Sequence, residues 1–301
     1  MNDRIADLAR VRRGTLVAVL AIAVPLAALG AMTSSALATP KGEFAKFAQC
    51  PLSNPELSGC IIASTESGEF TIGKKTVPIK NVITLQGGFI ENRETGAQEF
   101  VGAADGNTLS KTPQTVPGGL LGIEAPKSWP KELQELFNEF INKGFTGVTA
   151  TTELAAPASS IGLNEENLLT AKGIALSLPL KIKLDNVFLG SECYIGSNSS
   201  PVVVGFTTGT TSPPPPNKPI TGNVGTLGSE GGGAILVISK NSLVNNSFAA
   251  PAVTGCGGFF SGLVDPLVDS ILGLPAAAGH NTAILNGTLK QAGAESVRES
   301  E

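Results

Sequence analysis

His280 is the only imidazole among 301 residues, so it is the one side chain whose ordinary pKa suits proton transfer near neutral pH. A Ser-His-Asp triad needs that ring held by a carboxylate beside an activated serine. Gly279, Asn281 and Thr282 surround it with turn-forming residues and no acid, and the chain has no Gly-x-Ser-x-Gly elbow. A single histidine also rules out the His-Glu-x-x-His zinc-protease motif. Glycoside hydrolysis asks only for two carboxylates, for which Glu165, Glu166, Asp185 and Glu192 are the candidates. Asn164-Glu165-Glu166 reads equally as a capped helix start, where acids favour the dipole. No phosphate loop or dinucleotide fingerprint occurs; Gly228–Gly233 lacks both the spacing and a following helix. Asp105-Gly106-Asn107 lacks the repeated oxygen donors of a calcium loop and reads as a turn. No catalytic residue, metal ligand or cofactor is therefore expected.

The four cysteines, Cys50, Cys60, Cys193 and Cys256, are too far apart for the tight pairs of a Cys-His zinc site. An even number in an exported chain reads as two disulfides, with three possible connectivities. Cys50–Cys60 with Cys193–Cys256 is the expected set, because Pro51, Asn54-Pro55 and Gly59 make the first interval a compact loop. Export is itself read from residues 1–38. Arg4, Arg10, Arg12 and Arg13 precede Leu16–Leu29, an uncharged apolar run of 14 residues, and Ala36-Leu37-Ala38 supplies a small-x-small cleavage site. The run is short of the roughly 20 residues of a membrane span and contains Pro25. A signal peptide over 1–38 is the expectation, with cleavage before Thr39. No cysteine sits there to carry a lipid anchor.

Residues 1–38 hold four of the 21 Lys+Arg and two of the 25 Asp+Glu, so removing them takes the formal charge from −4 to −6. That acidity gives no reason to expect nucleic acid as a partner, nor adhesion to anionic headgroups through charge. Aromatic residues are only 5% of the chain, with one Trp and one Tyr, which disfavours sugar stacking. Thirty-six Gly and 20 Pro fit short strands and many turns.

The elements that would carry any site are mainly strands. Phe70-Thr71-Ile72 and Val77-Pro78-Ile79 flank a hairpin tip at Gly73-Lys74-Lys75. Val82–Leu85 and Phe89-Ile90 read as two pieces broken by Gly87-Gly88. Ile174, Leu176, Leu178, Leu180, Ile182 and Leu184 alternate with smaller or polar residues, placing six aliphatics on one face of a strand. A membrane barrel also uses such a strand, so a pore subunit stays open as an alternative. Pro179 makes this strand an edge, a bend or a divided pair. Thr207–Gly222, with four successive prolines, reads as a stiff loop enclosed by Cys193–Cys256.

Two amphipathic helices are expected. Leu133, Leu136, Phe137, Phe140 and Ile141 form one stripe, with Ser128 as N-cap and Lys143-Gly144 as stop. Leu263, Val264, Leu267, Val268, Ile271 and Leu272 form a second, broader stripe, ended by Gly273. Both stripes read as core; the second helix carries Asp265 and Asp269 where an interfacial helix would carry Lys or Arg. Gln291 onward reads as a flexible tail.

Phe47-Ala48-Gln49-Cys50-Pro51, Leu184–Ser197 and Pro213–Gly222 resemble secreted proteins of high-GC Gram-positive bacteria that have no assigned activity. The resemblance covers most of residues 39–301 and implies export, with no functional residues to carry over. The expected fold is thus mainly β with two short amphipathic helices, an antiparallel sandwich or barrel-like arrangement stapled by two disulfides. Residues 39–290 form the β-rich secreted domain, with a subdomain boundary possible near 145–160, and 291–301 the tail. The expected role is non-catalytic, binding or structural, at the cell envelope or outside it. The partner is unknown, a cell-wall or envelope component being the class that export implies. A pore subunit and a secreted carboxylate hydrolase are the alternatives.

Overall fold

The computed structural model describes residues 39–301 except Arg93 and Gly144, so the signal-peptide reading of 1–38 lies outside the described residues. In chain order the strands are β1 Gly59–Ile72, β2 Lys75–Pro78, β3 Ile83–Glu91, β4 Gln98–Gly102, β5 Gln114–Thr115, β6 Thr149–Leu154 and β7 Gly162–Leu163. They continue with β8 Leu176–Asp185, β9 Tyr194–Ile195, β10 Val202–Phe206, β11 Thr226–Glu230, β12 Ile235–Asn245, β13 Val253–Thr254 and β14 Thr282–Gly293. The helices are α1 Lys131–Asn142, α2 Glu165–Thr170, α3 Ser261–Leu272 and α4 Ala294–Glu299.

Every strand pairing is antiparallel, and the sheet runs β11-β12-β14-β1-β3-β4-β7-β8-β6-β5. β9 and β10 add to β8, and β2 folds back on β1. The β4–β7 junction is only two residue pairs long, and the sheet stays open in the sandwich-like form expected. Residues 145–160 mark no boundary. Ala38–Glu301 is one compact unit, and β6 lies inside that interval, paired along its length to β8.

β8 shows why the pattern fixes the core. Leu176, Leu178, Leu180, Ile182 and Leu184 are all buried while Ser177, Lys181 and Lys183 stand at the surface. The alternation faces the protein's own second layer, and only Ile174, which precedes the strand, is exposed. Pro179 makes neither an edge nor a break. Its carbonyl accepts from Ala155 N–H at 2.9 Å on the side where β6 ends and β7 has not begun. The N–H it lacks points to that same side, into a gap in the pairing.

Gly87-Gly88 corrects the two-piece reading of β3, which is a single strand. A Cβ on Gly87 would lie 2.4 Å from the Val101 carbonyl oxygen, and one on Gly88 2.6 Å from Leu57 Cδ1. These glycines therefore permit close packing rather than end a strand.

The flexible tail is likewise corrected. Gln291–Gly293 complete β14, and α4 drives Ala294 and Val297 into a small second core with Phe47, Cys50, Cys60 and Ile235. Arg298 donates to the Leu52 and Asn54 carbonyls at 3.1 and 2.6 Å, tying the helix to the Cys50–Cys60 loop. Nearby, Glu230 accepts from Lys290 at 2.6 Å and from Lys46, and those two lysines hold its carboxyl below the usual range. Both disulfides pair as expected, Cys50 with Cys60 and Cys193 with Cys256.

Candidate functional site

The groups that could do acid–base chemistry fall in three separate places, of which only the neighbourhood of Tyr194 gathers more than one element's acids. His280 is exposed in a turn, its backbone N–H donating to Ala277 O. Asp185 pairs with Lys183 at 3.0 Å on the outer face of β8, where Lys181 lies 4.9 Å from the Tyr194 ring centre and 3.8 Å from Glu153. Glu192 acts on the same Tyr194, whose hydroxyl is pushed up chiefly by burial. Glu165 and Glu166 stand elsewhere, in the first turn of α2, which Asn164 caps by accepting the Asn167 N–H at 2.8 Å.

Among the described residues Glu165 is the carboxylate in an unfavourable setting. Burial pushes its carboxyl up, and one of its oxygens is buried without a hydrogen-bond partner, so desolvation outweighs the neighbouring amides of Gln98 and Gln291. A raised folded-state pKa means the proton stabilises the fold below the ordinary 4.5 and that support is lost as pH rises through the folded value. Glu165→Gln is therefore expected to raise the unfolding temperature at pH 7. The gain should vanish below pH 4, as a pH series of melting curves checks. An equal gain at both pH values would contradict the burial account.

The unusual feature lies at one end of the sandwich. α1 forms where its periodicity places it, although it starts at Lys131 with Pro130 at the cap rather than at Ser128. Its stripe does not cover the sheet. Leu133, Leu136 and Phe140 are exposed, Phe140 to 76%, Phe137 packs edge-on against Trp129, and only Ile141 is buried. The inward face is instead a line of amides at i, i+4 and i+8. Gln134 donates to Trp129 O at 2.7 Å, Asn138 accepts the Ala125 N–H at 3.0 Å, and Asn142 accepts the Gly118 N–H at 2.9 Å.

α3 is arranged the same way. Val264, Val268 and Leu272 face the protein, while Leu263, Leu267 and Ile271 line the outside, Leu263 at 77% exposure. Its acids are not a solvated face. Asp265 accepts the Cys256 and Gly255 N–H groups at 2.7 and 3.2 Å, and Asp269 accepts the Val253 N–H at 2.8 Å. Turning either helix to bury its outer stripe would strip hydrogen bonds from these loops, and each buried group so orphaned costs about 1–3 kcal/mol. The expectation that both stripes are core therefore holds only for Ile141, Val264, Val268 and Leu272; the rest of each stripe points away, and polar groups help to hold both helices in that orientation.

Adjoining loops extend the surface. Phe145, Val187 and Phe188 are exposed, as are Phe259 and Phe260, with Phe259 at 96%, and so are Leu121, Ile123 and Trp129. Hydrogen bonds join these segments in a ring. Asn186 donates to Phe145 O and Gly147 O at 2.8 Å, and Gly257 N–H donates to Leu189 O at 2.7 Å. Gly258–Phe260 leads directly into α3, the Ile271 side chain lies beside Gly122, and Leu120 N–H donates to Thr146 O beyond the end of α1.

At about 150–250 Å² per aromatic side chain, the five exposed phenylalanines alone present on the order of 700 Å². The largest apolar patch of a typical monomer is about 300–600 Å². The rim carries Lys127, Lys131 and Lys143 against Glu124, Glu132, Glu135 and Glu139, a nearly balanced set in which Lys143 pairs with Glu139. The stripes are legible in the sequence, but their orientation is set by the loop amides beneath them. No protein-family model, curated protein or solved structure matches the chain.

Proposed function

We propose that this is a secreted, non-catalytic protein of the cell envelope or extracellular space that attaches to a lipid surface through its apolar end. One observation carries the reading: α1 and α3 both tie polar side chains to internal backbone groups and leave Leu133, Leu136, Phe140, Leu263 and Leu267 exposed. Several features favour lipid as the occupant. The phenylalanines come from separate loops and helix faces rather than from one flat sheet face, which suits a deformable phase. The ring also borders an apolar cavity between α3 and the Gly119–Leu121 turn, walled by Val268, Ile271 and Leu120. Among the described residues no helix is long and apolar enough to span a membrane. Export is supported by residues 1–38 and by two disulfides, which persist in oxidising compartments. The alternation that suggested a channel is taken up by the core of β8.

Protein spanning residues 39–301 is expected to float with phosphatidylcholine vesicles, and to do so equally in 1 M salt, because insertion draws on apolar area and the rim charges nearly cancel. Protein that remains below the vesicles, or that forms a concentration-dependent dimer with Phe259 and Leu263 protected, would contradict the reading.

A further inference from the structure

Three apolar cavities lie in a row inside the sandwich, and the outermost is the one bordered by the apolar ring. The innermost, of about 60 Å³, sits between β1, β8 and β14. It shares Phe70, Ile83 and Thr152 as a wall with a second of about 60 Å³. The second shares Lys75, Val116, Leu184 and Leu272 with a third, of about 40 Å³, under α3. Protein cores are normally packed with few voids larger than a water, and apolar voids stay dry and take up apolar molecules.

Lys75 is the one charged side chain in these walls. It is half-buried at the junction of the second and third cavities. Its ammonium donates to the Pro117 and Gly122 carbonyls at 3.4 and 3.3 Å, and among the described residues it has no carboxylate within salt-bridge distance. An ammonium has three donors, so one remains for a ligand, and an anion there would accept a charge-assisted hydrogen bond. The polar groups at the inner end are already engaged. Asn241 donates to Ile238 O at 3.0 Å and Thr288 to Glu66 at 3.1 Å.

We infer that this row is a binding site for a single-chain carboxylate amphiphile, with the carboxylate on Lys75, the chain running inward and the third cavity as its entrance. The inference rests on the lipid-surface reading, since the apolar ring is where such a chain would leave a lipid phase. At roughly 30 Å³ per water-sized group, the three cavities as they stand hold about five such groups, so a medium chain fits only once they are joined. Joining the cavities takes rotation of the side chains between them, Phe70 and Leu272.

The test is calorimetric titration of the 39–301 protein with decanoate below its micelle concentration, and with decanol, alongside vesicle flotation of the same samples. One decanoate per protein is expected. Lys75→Met, which keeps the aliphatic stem, should weaken decanoate roughly ten- to hundredfold, the weight of one hydrogen bond to a charged group, and leave decanol within about twofold. Ala150→Leu, which fills the second cavity, should weaken both ligands, with circular dichroism confirming the fold. Protein that floats with vesicles yet takes up no decanoate would overturn the inference and spare the surface reading. Decanoate binding indifferent to both substitutions would overturn it as adventitious adsorption. Protein that neither floats nor binds would end both.

Discussion

Replacing Phe259, Phe260 and Leu263 together by serine is expected to lower partitioning onto phosphatidylcholine vesicles about a thousandfold and to leave the unfolding temperature nearly unchanged. The three side chains are among the most exposed in the protein and contribute little to its core. Transfer of such a side chain out of water is worth roughly 1.5–3 kcal/mol when complete. Three incomplete transfers then supply about 4 kcal/mol, and every 1.4 kcal/mol is a factor of ten. Val82 and Leu227 are also exposed but lie outside the ring, so serine at those two positions should change binding less than twofold. Equal losses from both sets would mean that adsorption is nonspecific and that the ring has no special role.

The second large effect concerns the disulfides. Cys193→Ala with Cys256→Ala is expected to cost about 4 kcal/mol in urea unfolding, against nearly 3 for Cys50→Ala with Cys60→Ala, because stabilisation by restricting the unfolded chain grows with loop length. The separations are 63 and 10 residues. The longer loop contains β9 and β10 and the proline-rich excursion, and its closure sits beside the β9–β13 pairing of Ile195 with Val253. A larger loss from the short loop would show that the second core around Phe47 and Val297, rather than chain entropy, governs the outcome.

Period-two and helical patterning made a good part of this fold legible. β8, the Phe70–Ile79 hairpin and the positions of α1 and α3 can all be placed from residue spacing, since spacing decides which side chains share a face. Spacing does not decide what a face meets. Asn138 and Asn142 look like ordinary surface residues of a helix until the loop amides of Ala125 and Gly118 are found beneath them. Asp265 and Asp269 likewise resemble a solvated acidic edge until the amides around Cys256 fix them inward. Gly87-Gly88 was illegible for a related reason, because only the approach of Val101 and Leu57 separates a packing glycine from a breaking one. α4 has too few apolar residues to show a stripe, and only Ala294 and Val297 anchor it in the second core. The candidate site was therefore visible as two apolar stripes and hidden as a surface.

The chain's single tryptophan reports on that surface directly. Trp129 is partly exposed on the segment leading into α1, with its ring edge-on to Phe137 at 5.6 Å. If the apolar end enters a lipid phase, adding vesicles should move Trp129 emission to shorter wavelengths, and lipids brominated along their acyl chains should quench it. Emission that stays fixed and unquenched at saturating lipid, with the protein folded and both disulfides intact, would contradict the claim that this end of the molecule is its lipid-binding surface.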